Sequence, residues 1–402
     1  MSNFIQLHVL TPNPVSNPNR DDLGLPKTAL VGGTLRGRKS SQNSKRVIRT
    51  SGEMQALGIQ NLGVRTKHVG ALVSDHLIKQ GVAAEMADRA ARSIVKVLEN
   101  KTEKAETAPA SKAKAGKAGS KGAGKGKATA AAPLDLLAGV ARAEVAEAAP
   151  DATAAAKPDE AGDASLDMGQ LVFLSQAEIG RIQTAAEEIA RGGAMPAFSD
   201  LLLHADTAVD VAMFGRMMAA IPSYNREAAV QVSHAITTHK AVVEDDYFTA
   251  MDDLNARSDS GAAHLGERAF ISGIFYQYVT VDFTLLVANL GGNVELANQA
   301  LSAFMKALVS ASSPGMQASY ASRTQAAYVL VERGDDQPFT GATAFDKAVS
   351  GDDLLTESIK RLREQRALAR RRYCLEHDVF EFAPDDEHTI KDLLGFVTKS
   401  KP

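Results

Sequence analysis

Tryptophan is absent from the 402-residue sequence, and cysteine occurs once, as Cys374. A single cysteine cannot close a disulfide within the chain, which excludes the small disulfide-stapled scaffolds and favours a reducing compartment. There is no run of about 18 uncharged apolar residues, so we expect no membrane span and no membrane partner. No basic segment precedes the first apolar stretch, as it would in a secretory signal, so we expect a cytoplasmic protein.

The net charge is small, at −3, and as a sum it argues against a nucleic-acid partner. The distribution of charge argues the other way, because lysine and arginine are concentrated at 36–49 and again at 101–127. The electrostatic footprint of a nucleic-acid site is a local patch, so the sum over the chain does not decide the question.

Residues 103–163 form a low-complexity insert, rich in Lys, Ala and Gly in its first half and acidic in its second half. Such a composition buries too little apolar surface to offset the entropy of ordering, so the insert is predicted to be mostly disordered. A short helix at 133–147 is the one element that its pattern allows.

The residues around the insert have helical periodicity. It predicts one helix over Ala83–Glu99 and another over Ser175–Arg191. The second helix begins with a capping box, in which Ser175 is followed three residues later by Glu178. We therefore assign 61–205 to a helical subdomain that carries the insert.

The remaining blocks mix strands and helices. Alternating apolar residues predict strands at Phe4–Leu10, Ala208–Phe214, Val230–His239, Ile274–Val281 and Ala327–Glu332. Helical periodicity predicts Gln42–Thr50, capped by Ser41, and Val294–Ser310. The order strand, helix, strands, helix, strand predicts an α+β fold with the ferredoxin-like arrangement of RNA-recognition modules.

The first motif with chemistry is the basic segment VGGTLRGRKSSQNSKRVIR. Its glycines allow close approach of the backbone, and its serine hydroxyls and the free amides at the start of the next helix suit a phosphate. Gln42, Lys45 and Arg49 fall on one face of that helix, while Val47 is expected to point into the core. This pattern predicts a cradle for a phosphate backbone, with a solvated basic face as the alternative. No Walker motif is present, because no Gly-Lys-Ser/Thr follows the glycines.

The second motif lies in the stretch 240–270, which is long and lacks clear periodicity, as functional loops often do. It contains Tyr247, Phe248 and Thr249. An exposed aromatic pair is costly unless it stacks on something, and here a nucleobase and a neighbouring subunit both remain open. Met217, beside Arg216, would by residue type alone belong to the core.

Catalytic and metal sites are not predicted. His234 and His239 point to opposite faces of a predicted strand, so one ion cannot easily bind both. Adjacent acids such as Asp21 and Asp22, and those at 252–253, diverge in the same way. Cys374 has no activating partner. We expect no enzyme activity, no metal and no cofactor.

At these motifs the sequence resembles the Cascade backbone subunit of type I-E CRISPR systems, the CasC family. The matching stretches, in chain order, are MSNFIQLHVL, NRDDLGLPK, VGG, SSQNSKR, GRM, HAITTH, FTAMDDL, AHLG, NLGG and AFDKAV. They are spread over most of the chain outside the low-complexity insert.

The resemblance implies a hand-shaped protein with an RNA-recognition-like palm, helical fingers and a thumb loop. The palm would comprise 1–60, 206–239 and 271–402, the fingers 61–205, and the thumb loop 240–270.

The resemblance also implies a set of RNA-binding residues. Those that would contact guide phosphates and riboses are Arg20, Lys27, Ser40, Ser41, Gln42, Lys45, Arg46 and Arg49. Met217, with Arg216 beside it, would pack against a base next to a kink in the guide. Tyr247, Phe248 and Thr249 would form the thumb tip at a displaced base.

The implied function is non-catalytic. Copies would stack head to tail along one guide RNA and pre-order it for pairing with a target DNA strand. The implied partners are the large, small, guide-processing and tail subunits of Cascade and, indirectly, a recruited nuclease-helicase. Two other classes stay open: a ribonuclease that uses Asp245 or Asp246, and a stand-alone RNA-binding regulator.

Overall fold

The computed structural model describes residues 3–99, 166–250 and 264–399. The insert predicted at 103–163, the helix predicted at 133–147 and the acids at 252–253 lie outside the described residues.

The described residues form eleven strands and twelve α-helices. The strands are β1 Phe4–Ser16, β2 Thr28–Val31, β3 Thr34–Lys39, β4 Gly63–Thr66, β5 Val172–Ser175, β6 Val230–Val232, β7 Ala235–Thr237, β8 Glu244–Ala250, β9 His264–Asp282, β10 Tyr328–Gly334 and β11 Asp378–Phe382. The helices are α1 Ser41–Arg49, α2 Gly52–Gln55, α3 Val69–Lys79, α4 Ala84–Leu98, α5 Gln176–Ala190, α6 Phe198–Leu201, α7 Val209–Phe214, α8 Phe283–Asn289, α9 Val294–Ser310, α10 Gln317–Tyr320, α11 Leu354–Tyr373 and α12 Ile390–Thr398.

One large antiparallel sheet organises the fold. Its strand order is β11-β10-β1-β9-β7-β3-β2, and β6 and β8 also pair with β9. The central pair, β1 and β9, runs in register from Phe4 opposite Asp282 to Asn13 opposite Gly273. The predicted α+β class is therefore confirmed in its broad form, a mixed fold built on a large antiparallel sheet.

Both faces of this sheet are covered at its centre, where β1 buries side chains on both sides. Ile5, Leu7 and Val9 pack in one core with α8, α9 and α12. On the opposite face Leu10 lies in a second core with Leu362 of α11. The predicted alternation of apolar residues in β1 is confirmed on the face of Ile5, Leu7 and Val9. On the opposite face β1 also buries polar residues, Gln6 and His8.

The helical block around the insert has a core of its own. Buried residues from α3, α4 and α5 pack together with β4 and β5, which form a separate two-stranded sheet. The predicted capping box is confirmed: the Ser175 hydroxyl accepts from the amide of Glu178, and the Glu178 carboxylate accepts from the amide of Ser175. The boundary predicted at 61–205 stays a prediction, since Met218 and Ile221 also belong to this core.

Two predicted strands are wrong in part or whole. Ala208–Phe214 is not a strand, because Val209–Phe214 forms α7. All but the last of these residues are buried, and a short buried apolar run carries no period that separates strand from helix. Val230–His239 is broken into β6 and β7, because the main chain of Ser233 donates to Tyr278 and its hydroxyl accepts from the same residue.

The prediction of a loop at 240–270 is also wrong at its described ends. β8 pairs with the first part of β9, from Glu244 opposite Phe270 to Ala250 opposite His264. Residues 244–250 and 264–270 therefore form a two-stranded ribbon continuous with the central sheet. None of the described helices is both long and apolar enough to cross a bilayer.

Candidate nucleic-acid interface

The start of α1 is where several basic residues meet. The β2–β3 hairpin turns at Gly32 and Gly33, both at positive φ, and leads directly into Ser40. The loop that precedes β2 is hydrogen-bonded to the start of α1 through Asn19. The Asn19 carbonyl accepts from the amide of Lys27 at 2.8 Å, and its side-chain oxygen accepts from the amide of Ser40 at 2.9 Å. Local chain geometry thus places Lys27 beside the first turn of α1.

The amides at the start of α1 are mostly occupied, contrary to expectation. The cap is Ser40 rather than Ser41, and its hydroxyl accepts from the amide of Asn43 at 3.2 Å. The amide of Ser41 donates to Nδ1 of His234 at 3.3 Å, and that of Ser44 donates to the Ser40 carbonyl. The helix start therefore offers a phosphate fewer free donors than the sequence predicts.

His234 lies among cations at this helix start. Its Nδ1 lies 3.4 Å from a guanidinium nitrogen of Arg38, in addition to accepting from Ser41. Burial and the charges of Arg38 and Lys27 lower the pKa of His234. The lowered pKa favours the neutral ring, whose unprotonated Nδ1 accepts from the Ser41 amide.

The outer face of α1 is only partly open. Gln42 and Arg46 are exposed. Lys45 is half-buried, with its ammonium 6.0 Å from the centroid of the Phe214 ring, and burial lowers its pKa. α7 covers part of this face through Phe214 and Asp210. The residue that α1 turns into the core is Ile48, at 3% exposed, rather than Val47.

Arg49 belongs to the covered part of that face. Its guanidinium lies 3.7 Å from the carboxylate of Asp210 and 5.6 Å from the centroid of the Phe173 ring. Burial raises the pKa of Asp210 to about 6, although the amide of Gly63 and the charge of Arg49 oppose the rise. Arg49 therefore joins α1 to α7 and β5 as well as presenting a cation.

Arg216 is not available to a ligand, and its predicted RNA-binding role is corrected here. The residue is 4% exposed. Its guanidinium is 2.7 Å from the carboxylate of Glu178, the same side chain that closes the capping box of α5. It also donates to the carbonyls of Leu203 and Tyr224. A buried charge is retained only when it is paired in this way, so Arg216 is structural.

Met217, the next residue, points outward. It is 77% exposed, whereas Met218 is fully buried. Residue type alone would place Met217 in the core, but an exposed large apolar side chain suits a binding surface.

The aromatic motif lies on a strand and not at a loop tip. Tyr247, Phe248 and Thr249 are consecutive residues of β8, so they alternate between the two faces of the ribbon. Tyr247 is 62% exposed. Phe248 lies over Gly266, its cross-strand neighbour, and the guanidinium of Arg268 is 4.4 Å from its ring centroid. The two aromatic side chains thus face opposite ways and cannot stack on one base together.

Side chains that could ligate a metal do not cluster within the described ranges. No group of three or more His, Cys, Asp or Glu side chains there could hold a metal ion. Asp21 accepts from the amides of Leu23 and Leu25 and shapes a turn. Asp245 and Asp246 are exposed on β8.

A family model described as CT1975-like protein matches residues 5–393, nearly the whole chain. The chain belongs to the CT1975-like protein family. No curated protein matches it. Among solved structures, it is similar to a chain described as "CRISPR RNA-guided surveillance complex, pre-nicking", at 26% identity and a TM-score of 0.76, over 98% of this chain and 99% of that one.

A second solved chain has the same fold as this CT1975-like protein. It is described as "CRISPR RNA-guided surveillance complex" and is 22% identical, with a TM-score of 0.66 over 98% of this chain and 99% of that one. The similarities extend from end to end, so the fold is that of a subunit of a CRISPR surveillance complex.

Sequence reasoning missed several residues at the candidate interface of this CT1975-like protein. Arg38 and His234 belong to the helix start, and Lys39 lies against Asn13 and Phe275. Arg38 and Lys39 stand in the basic segment, so charge was a signal for both. His234 joins them only through the pairing of β3 with β7.

Proposed function

We propose that this CT1975-like protein is the guide-RNA-binding backbone subunit of a Cascade-type surveillance complex, of type I-E. The end-to-end match to a surveillance-complex chain carries the proposal. The cationic start of α1 supports it, because phosphate contacts from clustered Lys and Arg supply most of the affinity for a nucleic-acid backbone.

In the proposed mechanism the protein holds RNA and leaves sequence recognition to base pairing. Copies assemble head to tail along the guide, each with an RNA-recognition-like palm, helical fingers and a thumb formed by the β8–β9 ribbon. The assembled guide pairs with a target DNA strand, and the other Cascade subunits and a recruited nuclease-helicase complete the complex in the cytoplasm.

The surface proposed to contact guide phosphates comprises the exposed or half-buried members of the predicted set. They are Arg20, Lys27, Ser41, Gln42, Lys45, Arg46 and Arg49. Ser40 contributes by capping α1, and Met217 and the aromatic residues of β8 are proposed to contact bases.

The decisive experiment is to purify the protein, extract its RNA and sequence it. A guide-bound backbone carries RNA of uniform length, whereas a stand-alone RNA-binding regulator carries RNA of varied length. RNA of varied length, or none, would contradict the proposal.

A matched set of variants tests the surface itself. Replacing both Arg20 and Arg46 with Ala should weaken RNA binding and lower the salt slope by roughly 0.7 per lost contact with a single strand. Both residues are exposed, so folding should not change. The control is Arg371→Ala, which removes an exposed arginine from α11 and should leave binding unchanged.

The absence of catalysis is part of the proposal. The complex incubated with complementary RNA and a divalent metal should leave that RNA intact. Cleavage that is lost in Asp245→Asn or Asp246→Asn would show a ribonuclease instead.

A further inference from the structure

A small cleft lies on the far side of α1 from Gln42 and Lys45. Asn43, Ser44 and Val47 line it from α1, while Phe275 and Gln277 line it from β9. Thr11 and Lys39 also line it. Its volume is about 60 Å³. The cleft is thus large enough for one small polar group.

Lys39 brings a positive charge to this cleft without a matching negative charge. Its ammonium donates to the side-chain oxygen of Asn13 at 3.0 Å and lies 4.4 Å from the centroid of the Phe275 ring. Lys39 is half-buried. Partial burial lowers its pKa to about 8, and no charged group in the described part of the chain offsets that effect. A cation held in this way is costly unless an anion joins it.

Some of the other lining side chains can donate hydrogen bonds to such an anion, among an otherwise apolar lining. Ser44 accepts from Gln277 at 2.9 Å, which leaves the proton of its own hydroxyl available. The side chains of Asn43 and Thr11, a carboxamide and a hydroxyl that can each donate, belong to residues that line the same space. A cation with several neutral donors and no carboxylate is the chemistry that recognises a phosphate group.

We propose that the cleft beside Lys39 binds one phosphate group. This deepens the proposed function, because a phosphodiester of the bound RNA is one source of that group and free inorganic phosphate is the other. The cleft and the cationic start of α1 lie on different faces of the helix, so the two sites are separable by mutation.

The test compares Lys39→Met with the wild-type chain. Methionine keeps an unbranched side chain over Phe275 and removes the charge. With RNA as the probe, we expect the affinity to fall roughly tenfold and the salt slope to fall by about 0.7. In the wild type, RNA should raise the pKa of Lys39, measured from the pH dependence of its labelling by an amine reagent. Arg371→Met is the charge-matched control and should change neither quantity.

Inorganic phosphate is the second probe. It is compared with chloride at equal ionic strength, and the readout is the melting temperature. If free phosphate fills the cleft, it should raise the melting temperature of the wild type and of Arg371→Met but not of Lys39→Met. If only the RNA backbone fills it, phosphate has no effect while the RNA effects above remain.

Two outcomes overturn the inference. One is a folded Lys39→Met protein with wild-type RNA affinity, salt slope and response to phosphate. The other is a loss of self-association in Lys39→Met without any change in RNA or phosphate binding, which would assign the cleft to a carboxylate of another chain. Failure of the proposed function is distinguishable, because Arg20→Ala and Arg46→Ala would then also leave RNA affinity unchanged.

Discussion

Asp206 and Asp210 are close in sequence, yet replacing each of them with Asn should change the stability of the fold in opposite directions. Arg226 donates two hydrogen bonds to the carboxylate of Asp206. Each of its terminal nitrogens lies 3.0 Å from one carboxylate oxygen. Asp210 is 1% exposed and has only the partly exposed guanidinium of Arg49, at 3.7 Å, as a cationic partner.

For Asp210, the shift in pKa gives the sign and the size of the effect on the free energy of unfolding. Burial raises its pKa from the ordinary value of 3.8 to about 6. A shift of about two units corresponds to roughly 3 kcal/mol, by which folding favours the protonated form. Between pH 3.8 and about 6 the folded state therefore binds one more proton than the unfolded state does. The stability that the protonated carboxyl gives the folded state is lost as pH rises from 3.8 through about 6.

Asp210→Asn copies the protonated form. The amide oxygen can still accept from the backbone of Gly63, as the carboxylate does at 2.6 Å. Removing the buried charge favours folding, whereas losing the contact with Arg49 opposes part of that effect. We therefore expect a net gain of about 1–3 kcal/mol at pH 8. The gain should shrink as pH falls toward 4, where the wild-type carboxyl is itself protonated.

Asp206→Asn is the matched control with the reverse sign. Burial alone would raise the pKa of Asp206, but hydrogen bonds from Arg226 and the amide of Ala208 outweigh it and hold the pKa below its ordinary value. Its ionised form therefore stabilises the fold above the unfolded pKa, and this contribution is lost as pH falls through the folded pKa. The variant leaves Arg226 buried without its anion, which should cost about 3–5 kcal/mol at pH 8.

The assay is urea unfolding at several pH values, followed by far-ultraviolet circular dichroism because the chain has no tryptophan. If Asp210→Asn is destabilised at pH 8 as strongly as Asp206→Asn, or if its effect does not vary with pH, the burial argument for Asp210 is refuted.

Three further changes are checked by the same unfolding assay or by RNA probing. Arg366→Met should cost about 3–5 kcal/mol, because it leaves the carboxylate of Glu332 buried without its closest cation. Ser40→Ala should cost about 1 kcal/mol through loss of the cap of α1, and an unchanged stability would contradict that assignment. Phe248→Ala combined with Met217→Ala should change the melting temperature little, since Met217 is exposed and Phe248 lies on a two-stranded ribbon. The double variant should also remove the regular spacing of reactive bases in bound RNA, and persistence of that spacing would refute the proposed base contacts.

Local signals in the sequence determined several elements of the fold. The capping box at Ser175 and Glu178 predicted the start of α5, and the apolar period from Val294 to Ser310 predicted both bounds of α9. These signals are local because a cap or a helical face involves residues within one or two turns of each other. The basic segment before and within α1 was likewise readable from charge alone.

Tertiary structure decided which of the charged residues reach solvent. Arg216 became structural because Glu178, 38 residues earlier, caps α5 and pairs with it. Arg49 faces Asp210, and Lys39 faces Asn13 and Phe275, through contacts between elements distant in sequence. No periodicity carries that information, because burial of a charge depends on what packs against it. The sequence therefore determined the helices and the basic character of this protein, and only the packing of α1 against the sheet and α7 decided which cations remain free to bind.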